Sequence, residues 1–213
     1  MKQPSYLIAI PCFDTMKTDF VLSLLGLEKP ERYAYCVRTG SLISKARDGL
    51  VSVALQNKID RILWLDSDMV FQPDTLKRLI KDMDEGRDFV TGLYFGRRHP
   101  HQPMIYKNMS YYKDDEGRPM TAADNYADYP KDSVFEIGAC GFGVCLTKTE
   151  IFQKVFETFG VSPFTILPTS GEDLSLCWRL GQLGIKMYCD SGVKAKHVGE
   201  CLIDETYFVK EAE

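Results

Sequence analysis

Two acidic residues separated by a serine directly follow a short apolar run in the first third of the chain. The run Ile62-Leu63-Trp64-Leu65 is continuous, which is typical of a strand buried on both faces of a sheet. Asp66 and Asp68 follow it, at the kind of strand end where open α/β sheets bind ligands. Paired carboxylates at such an edge can hold a hard divalent cation, and the cation can hold phosphate groups. A polar turn that ends the strand is the structural alternative.

A second pair of acids, Glu172 and Asp173, stands at the predicted start of a helix. A carboxylate in this position that faces a cleft can take a proton from a hydroxyl group. Ser170 lies three residues before Asp173, so a capping box that stabilises the helix start is the structural alternative. Another Asp-x-Asp spacing, at Asp82 and Asp84, ends an amphipathic pattern and is predicted to be solvated surface.

Basic side chains that could complete such a site come from two other segments. His197 could join carboxylate and phosphate oxygens around a metal ion, a ligand set that suits Mn²⁺ better than Ca²⁺. A hydrogen-bonded surface histidine is the alternative. The segment Arg97-Arg98-His99-Pro100-His101 could clamp a phosphate or belong to a lid, or it could be a solvated basic loop. Its two histidines leave open a rival metal site, and with His197 a histidine-based hydrolase.

The elements that must position these residues follow from the hydrophobic pattern. In the first half, strands are predicted at 6–10, 32–37, 61–65 and 89–95, and helices at 16–27, 44–56 and 73–83. Residues 97–131 show little periodicity and are predicted to be a long irregular loop. Later strands are predicted at 134–137, 143–147, 186–189 and 193–197, and later helices at 149–159 and 172–183. Strands that alternate with helices in this way predict an open, mostly parallel twisted sheet with helices on both faces.

Length and composition limit the classes of protein to which the chain can belong. Its 213 residues, 45% hydrophobic and 26% charged, predict one soluble α/β domain without internal repeats. A net charge of −4 argues against a nucleic-acid partner, and no apolar run is long enough to span a bilayer. Seven scattered cysteines without a CxxC pair predict reduced thiols. The start of the chain does not resemble a signal peptide, and the reduced thiols lead us to expect a cytoplasmic location.

Taken in order, several segments resemble the GT-A glycosyltransferases, close to the large family 2 group. The matching segments cover most of the chain and are Ile8–Pro11, Ala46–Asp48, Ile62–Asp68, Gly138–Gly143, Gly171–Leu180 with Gly184, and His197. The resemblance implies a single GT-A domain over 1–213, with a nucleotide-binding half (1–98) and an acceptor-binding and catalytic half (99–213). Compact versions of this fold occur in bacteria, in phages and in large DNA viruses that glycosylate their own capsids. Among these the chain resembles the viral kind, which would place it in the host cytoplasm.

The resemblance also implies roles for individual residues. The nucleotide would lie against Pro11, Asp14, Arg47, Asp66, Ser67 and Asp68. The metal ion, Mn²⁺ or Mg²⁺, would be held by Asp68 and His197. The catalytic base would be Asp173, with Glu172 as the second candidate. The donor or acceptor sugar would face Gly141, Phe142 and Arg97. The chain departs from the family pattern at Cys12–Asp14, where a small polar residue and Tyr-Asn are usual, and at Asp48, where Asn is usual.

The activity implied is the metal-dependent transfer of a sugar from a nucleotide-diphosphate sugar to an acceptor hydroxyl, with inversion. UDP-sugars are the commonest donors for this kind of metal site in the family. The acceptor would be a carbohydrate or a glycoprotein glycan, recognised by tyrosines between His99 and Lys131, because flat rings suit sugar faces. Two other interpretations stay open: a sugar-nucleotide nucleotidyltransferase and a non-catalytic nucleotide-sugar-binding module. The former is expected to carry a glycine-rich basic loop after the first strand, and Pro11–Thr15 is neither.

Overall fold

The computed structural model describes residues 3–199 of the chain. These residues form five helices: α1 (Thr18–Gly26), α2 (Ile43–Gln56), α3 (Thr75–Asp84), α4 (Glu150–Phe159) and α5 (Glu172–Gln182). They also form twelve strands: β1 (Tyr6–Cys12), β2 (Tyr33–Thr39), β3 (Arg61–Leu65), β4 (Met69–Val70), β5 (Phe89–Leu93), β6 (Ile105–Lys113), β7 (Pro119–Asn125), β8 (Val134–Ile137), β9 (Ala139–Cys140), β10 (Val144–Lys148), β11 (Met187–Lys194) and β12 (Lys196–His197). None of the helices in this part of the chain combines the length and hydropathy that a membrane span requires.

A seven-stranded sheet forms the centre of the fold, in the order β2-β1-β3-β10-β5-β11-β8. Five of its strands run parallel, and β10 and β8 run antiparallel to their neighbours. Apolar residues of α2, α4 and α5 join the core on one face, and those of α1 and α3 join the core on the other. The predicted fold class, a mostly parallel open sheet with helices on both faces, is therefore confirmed.

The strand that leads into the first acid pair is buried on both faces, as its sequence predicts. All four residues from Ile62 to Leu65 are fully buried, with Trp64 the largest side chain among them. The Trp64 indole N–H donates a hydrogen bond to the Thr147 hydroxyl oxygen over 3.0 Å. Its ring meets Phe152 and Phe164 edge to face. This aromatic cluster gives the end of β3 a rigid base.

The loop predicted over 97–131 is wrong, because β6 and β7 form an antiparallel hairpin there. Most side chains of both strands are exposed or only partly buried, so no apolar alternation marks them in the sequence. Tyr111 of the hairpin meets Trp178 of α5 edge to face, with 5.4 Å between ring centroids. The two strands predicted at 186–197 are likewise one bulged strand, β11, followed by the short β12.

The prediction of solvated surface at the second Asp-x-Asp spacing is wrong for Asp82. This residue is buried beside Asp190 of β11, and burial followed by the charge of Asp190 raises the pKa of Asp82 to about 6. Asp84 is exposed as predicted and pairs with Arg61 over 2.6 Å. The cysteines behave as expected, since those within 3–199 are free thiols. Cys201 lies outside the described residues.

The aromatic cluster under β3 gives a stability prediction. Replacing Phe152 with alanine should lower the free energy of unfolding by about 3–5 kcal/mol, because its fully buried ring packs on Trp64 and Phe164. Phe156→Ala on the same helix is the matched control, since that ring is 58% exposed and should matter by less than about 0.5 kcal/mol. Urea unfolding of both variants measures the difference, and equal losses would contradict this description of the core.

Candidate active site

The Asp66–Asp68 turn leaves the sheet at the end of β3 and is fixed by main-chain hydrogen bonds. The Asp66 N–H donates to the Gly143 carbonyl oxygen over 3.0 Å, and the Met69 N–H donates to the Asp66 carbonyl oxygen over 3.1 Å. The Ser67 carbonyl oxygen accepts a third bond, from Lys17, also at 3.1 Å. Both aspartate side chains therefore project from a backbone that neighbouring segments hold in place.

Arg47 of α2 lies beneath this turn and joins it to the start of α5. Its Nη2 lies 2.9 Å from Asp66 Oδ1, and its Nη1 lies 3.1 Å from Glu172 Oε1. Its side chain is only 3% exposed and stands over the rings of Phe142 and Phe164. Arg47 thus lies under the predicted nucleotide pocket, where it orients the acids, and its burial argues against the direct contact with the nucleotide that we expected.

Asp173 differs from its neighbour Glu172 in having no ion pair in the described part of the chain. Its Oδ1 accepts a hydrogen bond from the Leu174 N–H over 2.8 Å. Burial raises the pKa of Asp173 to about 6, with the charges of Glu172 and Asp66 adding to the effect and that of Arg47 opposing it. A carboxyl with such a pKa is ionised at neutral pH and retains a useful proton affinity.

The capping box considered for this helix is absent. Helix α5 begins at Glu172 after Gly171, and no side chain caps its first turn. The Ser170 hydroxyl is buried without a hydrogen-bond partner among residues 3–199. The alternative structural role of the Glu172-Asp173 pair therefore loses its main support.

Asp68 and His197, distant in the sequence, meet because the short strands β4 and β12 pair with each other. The His197 Nε2 lies 3.4 Å from Asp68 Oδ2, and the other ring nitrogen, Nδ1, lies 3.2 Å from the Phe95 carbonyl oxygen. The Arg97 guanidinium contacts the same Asp68 oxygen over 3.0 Å. Burial alone would raise the pKa of Asp68, but the contact with His197 and the charges of His197 and Arg97 outweigh burial and lower it.

Tyr94, which the sequence analysis missed, lies between these two groups of residues. Its ring meets that of His197 edge to face, and its hydroxyl oxygen accepts a hydrogen bond from the Gly143 N–H over 3.1 Å. A Cβ on Gly141 would overlap the Tyr94 hydroxyl and lie 3.5 Å from Asp173 Oδ2. Burial, then the charges of Asp66 and Asp173, raise the pKa of Tyr94 well above its usual range. Its place at the end of a buried strand is the one signal in the sequence that could have drawn attention to it.

Three other predicted residues occupy different surroundings. The Phe142 side chain is 1% exposed and packs on Trp64 and Phe89, so the expectation that it faces a sugar is wrong. Pro11 is buried at the end of β1. Asp14 is exposed, and within residues 3–199 no hydrogen bond or ion pair links it to the Asp66–Asp68 turn.

Two cavities differ in their position relative to the predicted site residues. A cavity of about 430 Å³ adjoins the Asp68–His197 pair, and Arg97, His101, Lys196 and His197 line it. A larger one, about 640 Å³, lies near Asp60 and Lys148 at the other end of β3. It contains none of the predicted residues, so chemistry rather than size identifies the candidate site.

Replacing Arg47 tests its contribution to the stability of this site. Arg47→Met should lower the free energy of unfolding by about 3–5 kcal/mol near neutral pH, because it leaves Asp66 and Glu172 without their partner. Burial already raises the pKa of Asp66 and the charge of Arg47 opposes that rise, so without Arg47 the pKa of Asp66 in the folded protein moves further above its unfolded value of about 4. Folding then takes up protons, so the loss should shrink as the pH falls toward about 5.

Urea unfolding at both pH values measures this effect. Arg38→Met is the control, since Arg38 is exposed and should matter by less than about 0.5 kcal/mol. A loss that is the same at both pH values would show that Arg47 acts through packing alone.

Two solved structures are similar to this chain in fold. The crystal structure of A197 from STIV has a TM-score of 0.62 over 94% of this chain and 87% of that protein, at 19% identity. The crystal structure of GalNAc-T7 with UDP, GalNAc and Mn²⁺ has a TM-score of 0.59 over 91% of this chain and 44% of that protein, at 11% identity. At these identities the likeness concerns the fold. A comparison with curated protein sequences gave no match.

The family of this chain is shown by a match to a family sequence model. The model of glycosyl transferase family 2 matches residues 24–152, which is more than half of the chain and includes Arg47 and the Asp66–Asp68 turn. The chain therefore belongs to glycosyl transferase family 2 and is a glycosyltransferase with a GT-A-like fold.

Proposed function

We propose that the protein transfers a sugar from a nucleotide-diphosphate sugar, specifically a UDP-sugar, to an acceptor hydroxyl in a metal-dependent, inverting reaction. The observation that carries this proposal is the presence of two unlike acids on either side of Tyr94. Asp68 is paired with His197, whose ring contacts that of Tyr94. Asp173 lies near the Tyr94 hydroxyl. Asp68 is suited to bind a metal ion together with phosphates, and Asp173 is suited to accept a proton.

The residues present fit a divalent metal ion. Asp68 offers a carboxylate oxygen, and the contact of His197 Nδ1 with the Phe95 carbonyl leaves Nε2 directed at that oxygen. A positive charge, that of Arg97, already stands against Asp68. No group of three His, Cys, Asp or Glu side chains suitable for a metal lies together within residues 3–199. Asp68 and His197 would therefore be the protein ligands, with phosphate and water oxygens as the others, and the ion would stabilise negative charge on the departing diphosphate.

The choice of donor rests on Asp66 and Ser67, which precede Asp68 in the same turn, and on one related structure. Asp66 is 23% exposed, so the surface that Arg47 leaves free can accept a hydrogen bond from a ribose hydroxyl or the base. Ser67 stands beside it in the same turn. The GalNAc-T7 structure contains UDP, GalNAc and Mn²⁺, which supports a UDP-sugar and Mn²⁺ for this chain.

Asp173 is the group that we assign to proton transfer. The acceptor hydroxyl must lose its proton as it attacks the anomeric carbon, and a carboxylate with a pKa of about 6 can receive that proton at neutral pH. Glu172 is held by Arg47 over 3.1 Å, so its charge is already neutralised by a partner. We therefore assign Asp173 as the base and Glu172 to the orientation of the site.

A carbohydrate hydroxyl is the acceptor that we propose, as a free glycan or as part of a glycoprotein. Tyr106 of β6 is half-buried. Burial, and then the charge of Asp173 nearby, raise the pKa of Tyr106. The exposed rings of Tyr111 and Tyr112 continue along the same strand. Successive side chains of a strand point to opposite faces, so Tyr111 and Tyr112 offer flat surfaces to the apolar faces of sugars on the two sides of the hairpin.

Nucleotide release tests the proposed function directly. With Mn²⁺ and a panel of nucleotide sugars, the protein should slowly release free UDP from one UDP-sugar, and a chelator should stop the release. Binding of a nucleotide sugar without any turnover, even with added glycans, would favour a non-catalytic binding module. Formation of a nucleotide sugar from a sugar phosphate and UTP would instead favour a nucleotidyltransferase.

Substitution of the two neighbouring acids tests the assignment of the base. Asp173→Asn should lower transfer by roughly 10²- to 10⁴-fold while nucleotide-sugar binding is retained. The wild-type rate should fall as the pH drops through about 6, because protonated Asp173 cannot accept a proton, and the variant should lack this dependence. Glu172→Gln is the comparison. If Glu172→Gln lost the pH dependence and Asp173→Asn kept it, the two roles would be reversed.

A further inference from the structure

One oxygen of Asp68 carries two basic partners. Arg97 Nη1 lies 3.0 Å from Asp68 Oδ2, and His197 Nε2 lies 3.4 Å from the same atom. A metal ion bound by this oxygen and by the histidine nitrogen would share Asp68 Oδ2 with the Arg97 guanidinium. Two positive charges at one carboxylate oxygen repel each other. Arg97 and a metal ion should therefore compete for Asp68.

The backbone at Arg97 is fixed, whereas its side chain is free to change partners. The loop that carries it is closed at its base, where the Gly96 N–H donates to the Gln102 carbonyl oxygen over 2.8 Å. His101 Nδ1 lies 2.9 Å from the Gly96 carbonyl oxygen, which fixes the loop a second time. The Arg97 side chain is 53% exposed, in contrast to Asp68 at 19%. A long arginine side chain on a fixed backbone can turn away without moving the loop.

A suitable second position for the guanidinium lies next to Asp68. Arg97 lines the 430 Å³ cavity together with His101, Lys196 and His197. These side chains are basic, and the cavity adjoins the atoms that we assign to the metal. An arginine guanidinium binds phosphate oxygens in a two-pronged geometry, so a diphosphate at this place would offer Arg97 a new partner.

We propose that Arg97 is a positioning residue that exchanges partners, from Asp68 in the free protein to the diphosphate of the donor once a metal ion is bound. The inference rests on the proposed function, because it takes Asp68 as a metal ligand and a nucleotide diphosphate as the substrate. Arg97 then weakens the binding of metal alone and strengthens the binding of metal together with the donor. By linkage, metal and nucleotide each raise the affinity for the other.

The experiment measures affinities, with no need for turnover. Free Mn²⁺ is followed by electron paramagnetic resonance in a titration of the wild type and of Arg97→Met. The variant should bind Mn²⁺ roughly 2- to 5-fold more tightly, because the competing ion pair is gone. With Mn²⁺ saturating, calorimetry should show UDP binding to the variant about 10-fold more weakly, because a charged hydrogen bond to phosphate is lost. Arg118→Met, which removes an exposed Arg–Asp pair of 2.7 Å on the hairpin, should change neither affinity.

Asp68→Asn separates this inference from the proposed function. If that variant binds Mn²⁺ as tightly as the wild type, the metal is held elsewhere, and both the proposed metal site and the exchange are wrong. If Asp68→Asn loses Mn²⁺ while Arg97→Met binds it no more tightly than the wild type, the exchange is overturned and the metal site stands. Only one outcome supports the exchange: Arg97→Met binds Mn²⁺ more tightly and UDP more weakly than the wild type.

Discussion

A single buried cation, the guanidinium of Arg47, holds two of the acidic groups of this site in position. It contacts Asp66 at the end of β3 and Glu172 at the start of α5, two segments that lie far apart in the chain. With 3% of its side chain exposed, Arg47 has almost no water around its charge. A guanidinium is stable in such surroundings when carboxylates face it. Burial raises the pKa of Asp66, and the charge of Arg47 opposes that rise. The packing of α2 therefore positions Asp66 and Glu172.

The different properties of two adjacent acids follow from this arrangement. Glu172 faces Arg47, whereas Asp173 has the Leu174 N–H as its hydrogen-bond partner. Removal from water without an ion pair of its own leaves Asp173 with a pKa of about 6. A base must be ionised at the working pH and must still bind a proton well, and a raised pKa meets both conditions. The surroundings of each carboxylate, and not its place in the motif, distinguish the two.

The sequence predicted the parts of the fold that depend on continuous burial. Strand β3 and its two acids could be located because an apolar run marks them, and the meeting of Asp68 with His197 was implied by the family pattern. The β6–β7 hairpin was missed because its largely exposed strands have no alternation of apolar and polar residues. Phe142 was misplaced because its role came from the family resemblance alone, whereas its ring fills the core. Such burial depends on partners from distant segments, which local patterns do not reveal.

Tyr94 and the two glycines beside it connect the Asp68–His197 pair with Asp173. A Cβ at Gly143 would lie 2.7 Å from the Tyr94 ring, and one at Gly141 would overlap its hydroxyl. The ring can therefore lie between His197 and Asp173 only if both positions lack side chains. A ring held in this way fixes the spacing between the two groups, so Tyr94 and both glycines must be retained together.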